Sequence, residues 1–216
     1  MIIDNKKSRQ YFVVYKPYQV LSQFSAQENK LTLKKFFDVP KDVYPVGRLD
    51  FDSEGLLILT NDASLNQRLL NPQFAHEREY WAQADGAVSQ EAVDKLQRGV
   101  EINVDGKSYK TKKCYVEIFS EMPAVPERKP PIRYRKNIPT SWLKIILTEG
   151  KNRQVRKMLA AVGFPVLRLI RQRIEKVALN GMQPSEMIEL SRAELYRQLN
   201  IKSDKHSKQR KYPFQR

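Results

Sequence analysis

The chain has 216 residues, 39 Lys and Arg against 24 Asp and Glu, a formal net charge of +15 at pH 7 and a single cysteine. That length supports one large domain or two modest ones, while the charge calls for a polyanionic partner, nucleic acid ahead of an anionic membrane. An internal disulfide is excluded, as is a zinc site built from Cys114, His76 and His206, and the lack of any long apolar span, signal-type segment or basic amphipathic helix with a bulky apolar face implies a soluble, cytoplasmic protein with no membrane partner.

Residues 11–15, YFVVY, form an apolar run suited to a buried strand, and Lys16-Pro17 ends it. Lys16 is then either a surface lysine or a cation at the mouth of a site. Residues 31–37 are expected to form a short helix with Leu33, Phe36 and Phe37 on one side, and Pro40 and Pro45 mark a loop leading into residues 46–62, VGRLDFDSEGLLILTND. Here Asp50, Asp52 and Glu54 alternate, so in an extended segment they tend to point the same way. Gly47 and Gly55 bracket them and allow a ligand to approach the main chain. Residues 56–59 read as a buried strand closed by an Asn61-Asp62 turn.

Three readings of this acidic loop compete. It can be a solvated turn feeding a core strand. It can be a metal site, although a calcium-loop template would need a bidentate Glu where Asn61 stands. It can also hold a single working carboxylate, with Arg48 two residues away to balance its charge or reach for a phosphate.

Residues 63–70 read as a helix stopped by Asn71-Pro72, and 78–84, REYWAQA, as a strand whose Tyr80 is either core or a platform for a base. Ser89 caps a helix carrying Ala92, Val93, Leu96 and Val100. Val100, Ile102 and Val104 alternate up to Asp105-Gly106, a hairpin turn whose return strand is expected through Tyr115, Val116 and Ile118. Lys107, Lys110, Lys112 and Lys113 crowd that hairpin, as a guarded edge or a phosphate-contacting rim. Cys114 falls in this run and reads as a small core residue. Residues 122–139 are proline-rich and basic, a long loop in which Arg133, Tyr134 and Arg135 offer charge and a ring together.

Residues 142–147 read as a strand, and 149–163, EGKNRQVRKMLAAVG, as a helix with Val155, Met158, Leu159 and Val162 on its apolar stripe. Lys151, Arg153, Arg156 and Lys157 crowd its start, where the helix dipole disfavours cations, so a negative group belongs beside them. Residues 166–174, VLRLIRQRI, alternate apolar residues with Arg168, Arg171 and Arg173. Asn180-Gly181 is a turn, and Ser191 with Glu194 forms a capping box ahead of a last helix. Residues 201–216 read as a disordered basic tail that binds polyanions nonspecifically.

Taken in order, Lys16-Pro17, GRLDFDSEGLLILTND, Arg78-x-Tyr80, GKNRQVRKMLAAVG and RLIRQRI make the chain resemble the bacterial ribosomal RNA pseudouridine synthases of the RsuA family, from about Tyr11 to Leu199. Many members carry a small RNA-binding domain ahead of the Lys-Pro motif, whereas only ten residues precede Tyr11 here, so no such module is expected. The organisation expected is a short lead (1–10), a catalytic domain in two halves (11–200) and the tail. Arg78 stands where the family has a lysine. The resemblance implies an α+β fold: a long, mainly antiparallel sheet in two halves, flanked by helices, with the active site in the cleft between them.

It further implies isomerisation of uridine to pseudouridine after base flipping, with Asp50 as catalytic carboxylate, Tyr80 against the target uracil, Arg156 paired with Asp50, and Arg48 holding the flipped nucleotide. No metal or organic cofactor is expected. Lys16, Arg78, Lys151, Arg153, Arg133, Arg135, Arg168 and Arg171 are the cations expected to meet RNA. The short form most resembles members acting on large-subunit (23S) ribosomal RNA, so the expected partner is that RNA, free or in an assembling particle, met by a monomer. Two other classes stay open: a non-catalytic RNA-binding assembly factor, and a metal-dependent nuclease or phosphatase using Asp50, Asp52 and Glu54.

Overall fold

Runs rich in β-branched and aromatic residues become strands here, and the 3.6-residue apolar patterns become helices. The structure is a computed structural model and describes residues 8–132 and 138–201. The expectations for Arg133, Tyr134 and Arg135, and for the tail beyond 201, lie outside the described residues. In chain order the elements are β1 (Tyr11–Lys16), β2 (Val20–Leu21), β3 (Leu31–Thr32), β4 (Tyr44–Pro45), β5 (Glu54–Thr60), α1 (Ala63–Leu70), β6 (Arg78–Asp85), α2 (Gln90–Arg98), β7 (Glu101–Val104), β8 (Lys107–Lys110), β9 (Tyr115–Ile118), β10 (Thr140–Leu147), α3 (Gln154–Ala161), β11 (Val166–Ile174), β12 (Val177–Ala178), β13 (Met187–Glu189) and α4 (Arg192–Gln198).

Nine of these strands make one sheet in the order β13-β1-β5-β11-β6-β10-β9, with β4 beside β5 and β12 beside β11. Among the described residues every pairing in it is antiparallel except β5 with β11. That parallel seam joins two halves, which gives the expected α+β architecture. Because β5 and β11 run the same way, the loop entering β5 and the helix entering β11 arrive at one end of the sheet. β1 runs against β5 and brings Lys16 opposite Gly55 at that same end.

Residues directly opposite one another share a face, and the two faces differ. On one, Tyr11, Val13, Tyr15, Leu56, Ile58 and Ile170 pack continuously with Leu65 and Leu69 of α1 and Leu195 of α4. The other is divided. Phe12, Val14, Leu57 and Leu59 pack with Val20, Leu33 and Phe37, while Ala82, Ala84, Leu143 and Ile145 pack with Leu96 of α2 and Val155, Met158 and Leu159 of α3. Between these clusters runs a row across the sheet, Lys16, Gly55, Arg171 and Tyr80. Its glycine leaves the surface low where the two halves meet.

The helix starts read from sequence are present. Asp62 accepts from Ser64 N at 3.1 Å, Ser89 from Ala92 N at 3.3 Å and Ser191 from Glu194 N at 3.2 Å, and such caps contribute about 1 kcal/mol each. Three expectations fail. Residues 31–37 hold only β3 and a single 3-10 turn, Leu33–Lys35, because Leu31 and Thr32 pair in parallel with Val20 and Leu21. The return strand of the Asp105-Gly106 hairpin is β8, not β9: Glu101 to Val104 pair with Lys110 to Lys107, and β9 joins β10 instead. Cys114 lies between strands and not in one, although it packs half-buried against the core around α2, with Sγ 3.2 Å from Leu96 O.

Candidate active site

The loop bearing Asp50 is fixed before any ligand arrives. Ser22 Oγ donates to Leu49 O at 2.8 Å and accepts from Leu49 N at 3.0 Å in the interior, and Ser53 N donates to Asp50 O at 3.1 Å, closing a turn over residues 50–53. Gly55 has φ +108°, and a Cβ there would stand 2.4 Å from Arg171 O. What approaches this glycine is the main chain of β11, where a ligand was expected.

Cations from α3 close over the loop. Arg153, the N-cap residue, adopts φ 52° and donates to both carboxylate oxygens of Asp52 at 2.8 Å, with Nη1 3.6 Å from Asp50 Oδ2. Arg156 donates to the main-chain oxygen of Asp52 and, at 3.2 Å, to Val166 O, while its Nε lies 3.4 Å from Asp52 Oδ2. Hydrogen bonds from Arg153 hold the Asp52 carboxyl below the ordinary range despite partial burial. So the negative group required at this helix start is present. It is chiefly Asp52: the ion-pair partner of Arg156 is Asp52, two residues beyond the expected Asp50, and the cation touching Asp50 is Arg153.

Beneath the loop lie cations that the sequence placed at the RNA surface. Lys16 is wholly buried; its Nζ donates to Val20 O at 2.7 Å and Pro17 O at 2.9 Å, and burial pushes it down to about 7 against the pull of Glu54, Asp50 and Asp52. Arg168 grips Glu54 with two bonds of 2.9 and 2.8 Å, both side chains buried. Arg171 donates Nε to Leu56 O at 2.8 Å, and its Nη2 is buried without a hydrogen-bond partner among the described residues. These three cations are buried inside the sheet: Arg168 is paired with Glu54, and Lys16 and Arg171 donate to carbonyls at the seam.

Arg78 donates to Leu69 O at 2.7 Å and His76 O at 3.0 Å, which ties β6 to the end of α1. Tyr80, half-buried, ends the cleft row beside Arg171. Arg48 is exposed and has no hydrogen bond or ion pair among the described residues; Lys151 is exposed, its Nζ 4.8 Å from the ring centre of Tyr109. Of the described cations expected to meet RNA, Arg48, Lys151 and Arg153 are the exposed ones.

The metal-dependent reading loses its donors. Glu54 is consumed by Arg168 and Asp52 by two arginines, and among the described residues no three His, Cys, Asp or Glu side chains converge. The role of Asp52 as the clamp between loop and helix was not assigned from sequence. Its signal was present in two arginines three residues apart, on one face of a helix whose start needs an anion. Beside Asp52 and Arg156 opens a cavity of about 570 Å³, also lined by Tyr18, Arg128, Ile132, Val166 and Leu167.

Comparison with known proteins bears on the family and the fold. Residues 10–161 match the family model described as RNA pseudouridylate synthase. A Vibrio parahaemolyticus protein named ribosomal large subunit pseudouridine synthase E is 44% identical over 184 residues, covering 85% of this chain and 75% of its own, and a protein of the same name from Xanthomonas axonopodis pv. citri is 47% identical over 171 residues, covering 78% and 87%. A solved pseudouridylate synthase superposes with a TM-score of 0.71 at 25% identity, covering 88% of this chain and 74% of its own. With most of its length matched in sequence and fold, this chain belongs to the RNA pseudouridylate synthase family.

Proposed function

We propose that the chain isomerises uridine to pseudouridine in large-subunit ribosomal RNA, with Asp50 as the working carboxylate. The observation that carries this reading is the setting of Asp50. Its side chain is 32% exposed, on a loop pinned by Ser22, Asp52, Arg153 and Arg156, with a guanidinium 3.6 Å away. The reaction breaks the N-glycosidic bond, turns the uracil and rejoins it to the sugar through carbon 5, whose proton is lost. It needs no net oxidation, reduction or hydrolysis, and a carboxylate that adds to the reacting nucleotide and leaves again suffices.

In this reading Tyr80 lies against the uracil and assists loss of the carbon 5 proton, and Arg48 holds the flipped nucleotide. Arg156 acts through Asp52, setting the height of the loop. The Nη2 of Arg171, buried without a hydrogen-bond partner among the described residues, supplies positive charge beneath the cleft that favours anionic character there. Extracting the base costs a few kcal/mol, offset by phosphate contacts from Arg48, Lys151 and Arg153. The large-subunit RNA is supported by the names of the two relatives. We read the enzyme as a cytoplasmic monomer that meets this RNA free or in an assembling particle.

The test is tritium release from ribosomal RNA labelled at uracil carbon 5, in the presence of a chelator. The parent should release tritium and Asp50→Asn should not. Equal release by both removes Asp50 from the chemistry, and binding without release by the parent removes the reaction.

A further inference from the structure

The 570 Å³ cavity is not where the target uracil is placed by the reading above. Its lining is Tyr18, Asp52, Arg128, Ile132, Arg156, Val166 and Leu167; neither Asp50, Tyr80 nor Arg48 belongs to it. Asp52 forms the partition, and two residues span at most about 7 Å, so the cavity opens within one nucleotide's reach of Asp50.

Its walls suit a planar, aromatic ligand. The Arg128 guanidinium carbon lies 4.3 Å from the ring centre of Tyr18, a stacked cation–π pair. Arg128 Nε donates to Pro130 O at 2.9 Å and Nη1 to Leu167 O at 3.3 Å. Two main-chain carbonyls therefore engage its edge. A guanidinium held this way offers a ligand its flat face more than its donor fork, and that is how arginine meets a base rather than a phosphate. Val166, Leu167 and Ile132 add apolar wall, and the paired Asp52 carboxylate and Arg156 guanidinium supply an acceptor and a donor at the inner rim. The volume lies in the range of small-ligand sites.

We propose that this cavity is a second nucleobase subsite, which receives the base next to the target uridine by stacking it on Arg128, with Tyr18 backing the guanidinium from behind. The proposal rests on the reading of the chain as a pseudouridine synthase. It makes Arg128 and Tyr18 positioning residues, acting on substrate placement and not on the chemistry at Asp50. Seating the neighbouring base fixes the backbone on one side of the flipped nucleotide, and binding energy gained away from the reacting atoms is then available to offset unstacking.

The test uses an RNA fragment carrying the uridine that the parent converts, and two copies of it abasic at the position before or after that uridine. Single-turnover pseudouridine formation is measured with the parent, Arg128→Ala and Arg128→Lys. Loss of one stacked base should slow the parent about ten- to hundredfold at one of the two positions and hardly at the other. Arg128→Ala should show that same loss on intact RNA and no further loss on the abasic fragment. Arg128→Lys should resemble Arg128→Ala, since it keeps the charge and lacks the plane. Indifference of the parent to both abasic positions, multiplication of the two losses, or full activity of Arg128→Lys would each overturn the subsite. Failure of the parent on every ribosomal RNA would remove the synthase reading, and the subsite with it.

Discussion

Asp52 and Glu54 stand two residues apart and each is held by both nitrogens of an arginine fork, yet the first pair leaves its carboxylate 32% and its guanidinium 41% exposed, and the second leaves 2% and 5%. Position along the chain explains the contrast. Asp52 belongs to the turn outside the sheet, whereas Glu54 is the first residue of β5, opposite Ile170 on the closed face. An exposed pair contributes little to stability and can yield to a ligand. A buried pair costs so much desolvation that it is a poor stabiliser compared with apolar packing, but leaving either partner alone is worse. Glu54 and Arg168 therefore serve alignment. A parallel seam has no hairpin turn to set its register; this pair links its two strands, while Asp52 and its arginines link the loop to α3.

The largest expected effect sharpens the functional side of that contrast. Asp50→Asn should cost about a thousandfold or more in pseudouridine formation, with RNA affinity and thermal midpoint close to the parent. A variant equally poor at binding would shift the role of Asp50 from reaction to recognition.

Next comes the structural side. Glu54→Ala or Arg168→Ala should each lose about 3–5 kcal/mol in urea unfolding, and the double change Glu54→Leu with Arg168→Met should recover most of it. Single variants within 1 kcal/mol of the parent would erase the distinction between the two pairs.

Lys16 gives the contrast a pH dependence. Its folded value, about 7, lies below its ordinary 10.5, so between these the unfolded chain binds more protons and stability rises with pH. The cost of burying the charged form is fully present below pH 7 and is relieved by pH 10.5. Lys16→Met should lack this slope, a difference of a few kcal/mol at most across the window, measured by urea titrations at pH 6.5, 8 and 9.5. Parallel curves for parent and variant would place the proton elsewhere.

Asp52→Asn should change stability by only about 0–1 kcal/mol but slow catalysis roughly tenfold, because Arg153 and Arg156 lose the anchor that steadies Asp50. The loss should fall on kcat more than on KM. Smallest of all, Arg48→Ala and Lys151→Ala should each lower the slope of log affinity against log salt by about 1. An RNA affinity flat with salt would show that contacts other than phosphate dominate.

Much of this was legible in the residues. The strand at 11–15, the caps at Ser89 and Ser191, and the cation-rich helix needing an anion follow from local rules, because each depends on neighbours within one or two turns. Lys16, Arg168 and Arg171 were not, since alternation tells which residues share a face but not which face a long-range partner closes. Lys16 opposite Gly55 and Arg171 opposite Tyr80 is knowledge of strand order. The misplaced return strand after Asp105-Gly106 has a similar cause: β8, KSYK, has no buried residue to mark it, and its apolar competitor β9 won on pattern. Asp52 was visible as one acid among three, and only the tertiary fold separates its partners from those of Glu54.

The parallel seam also dictates when an active molecule first exists during synthesis. Asp52 finds Arg153 101 residues later and Glu54 finds Arg168 114 residues later, and β1 stays an open edge until β13 emerges to pair with it. A nascent chain halted before Arg153 holds Asp50 and Asp52 without the arginines that close over them, and one halted before Val166 lacks the strand that joins the two halves of the sheet. Until β11 emerges the apolar strand β5 lacks its parallel partner, which makes that interval the period in which this chain is most exposed to aggregation.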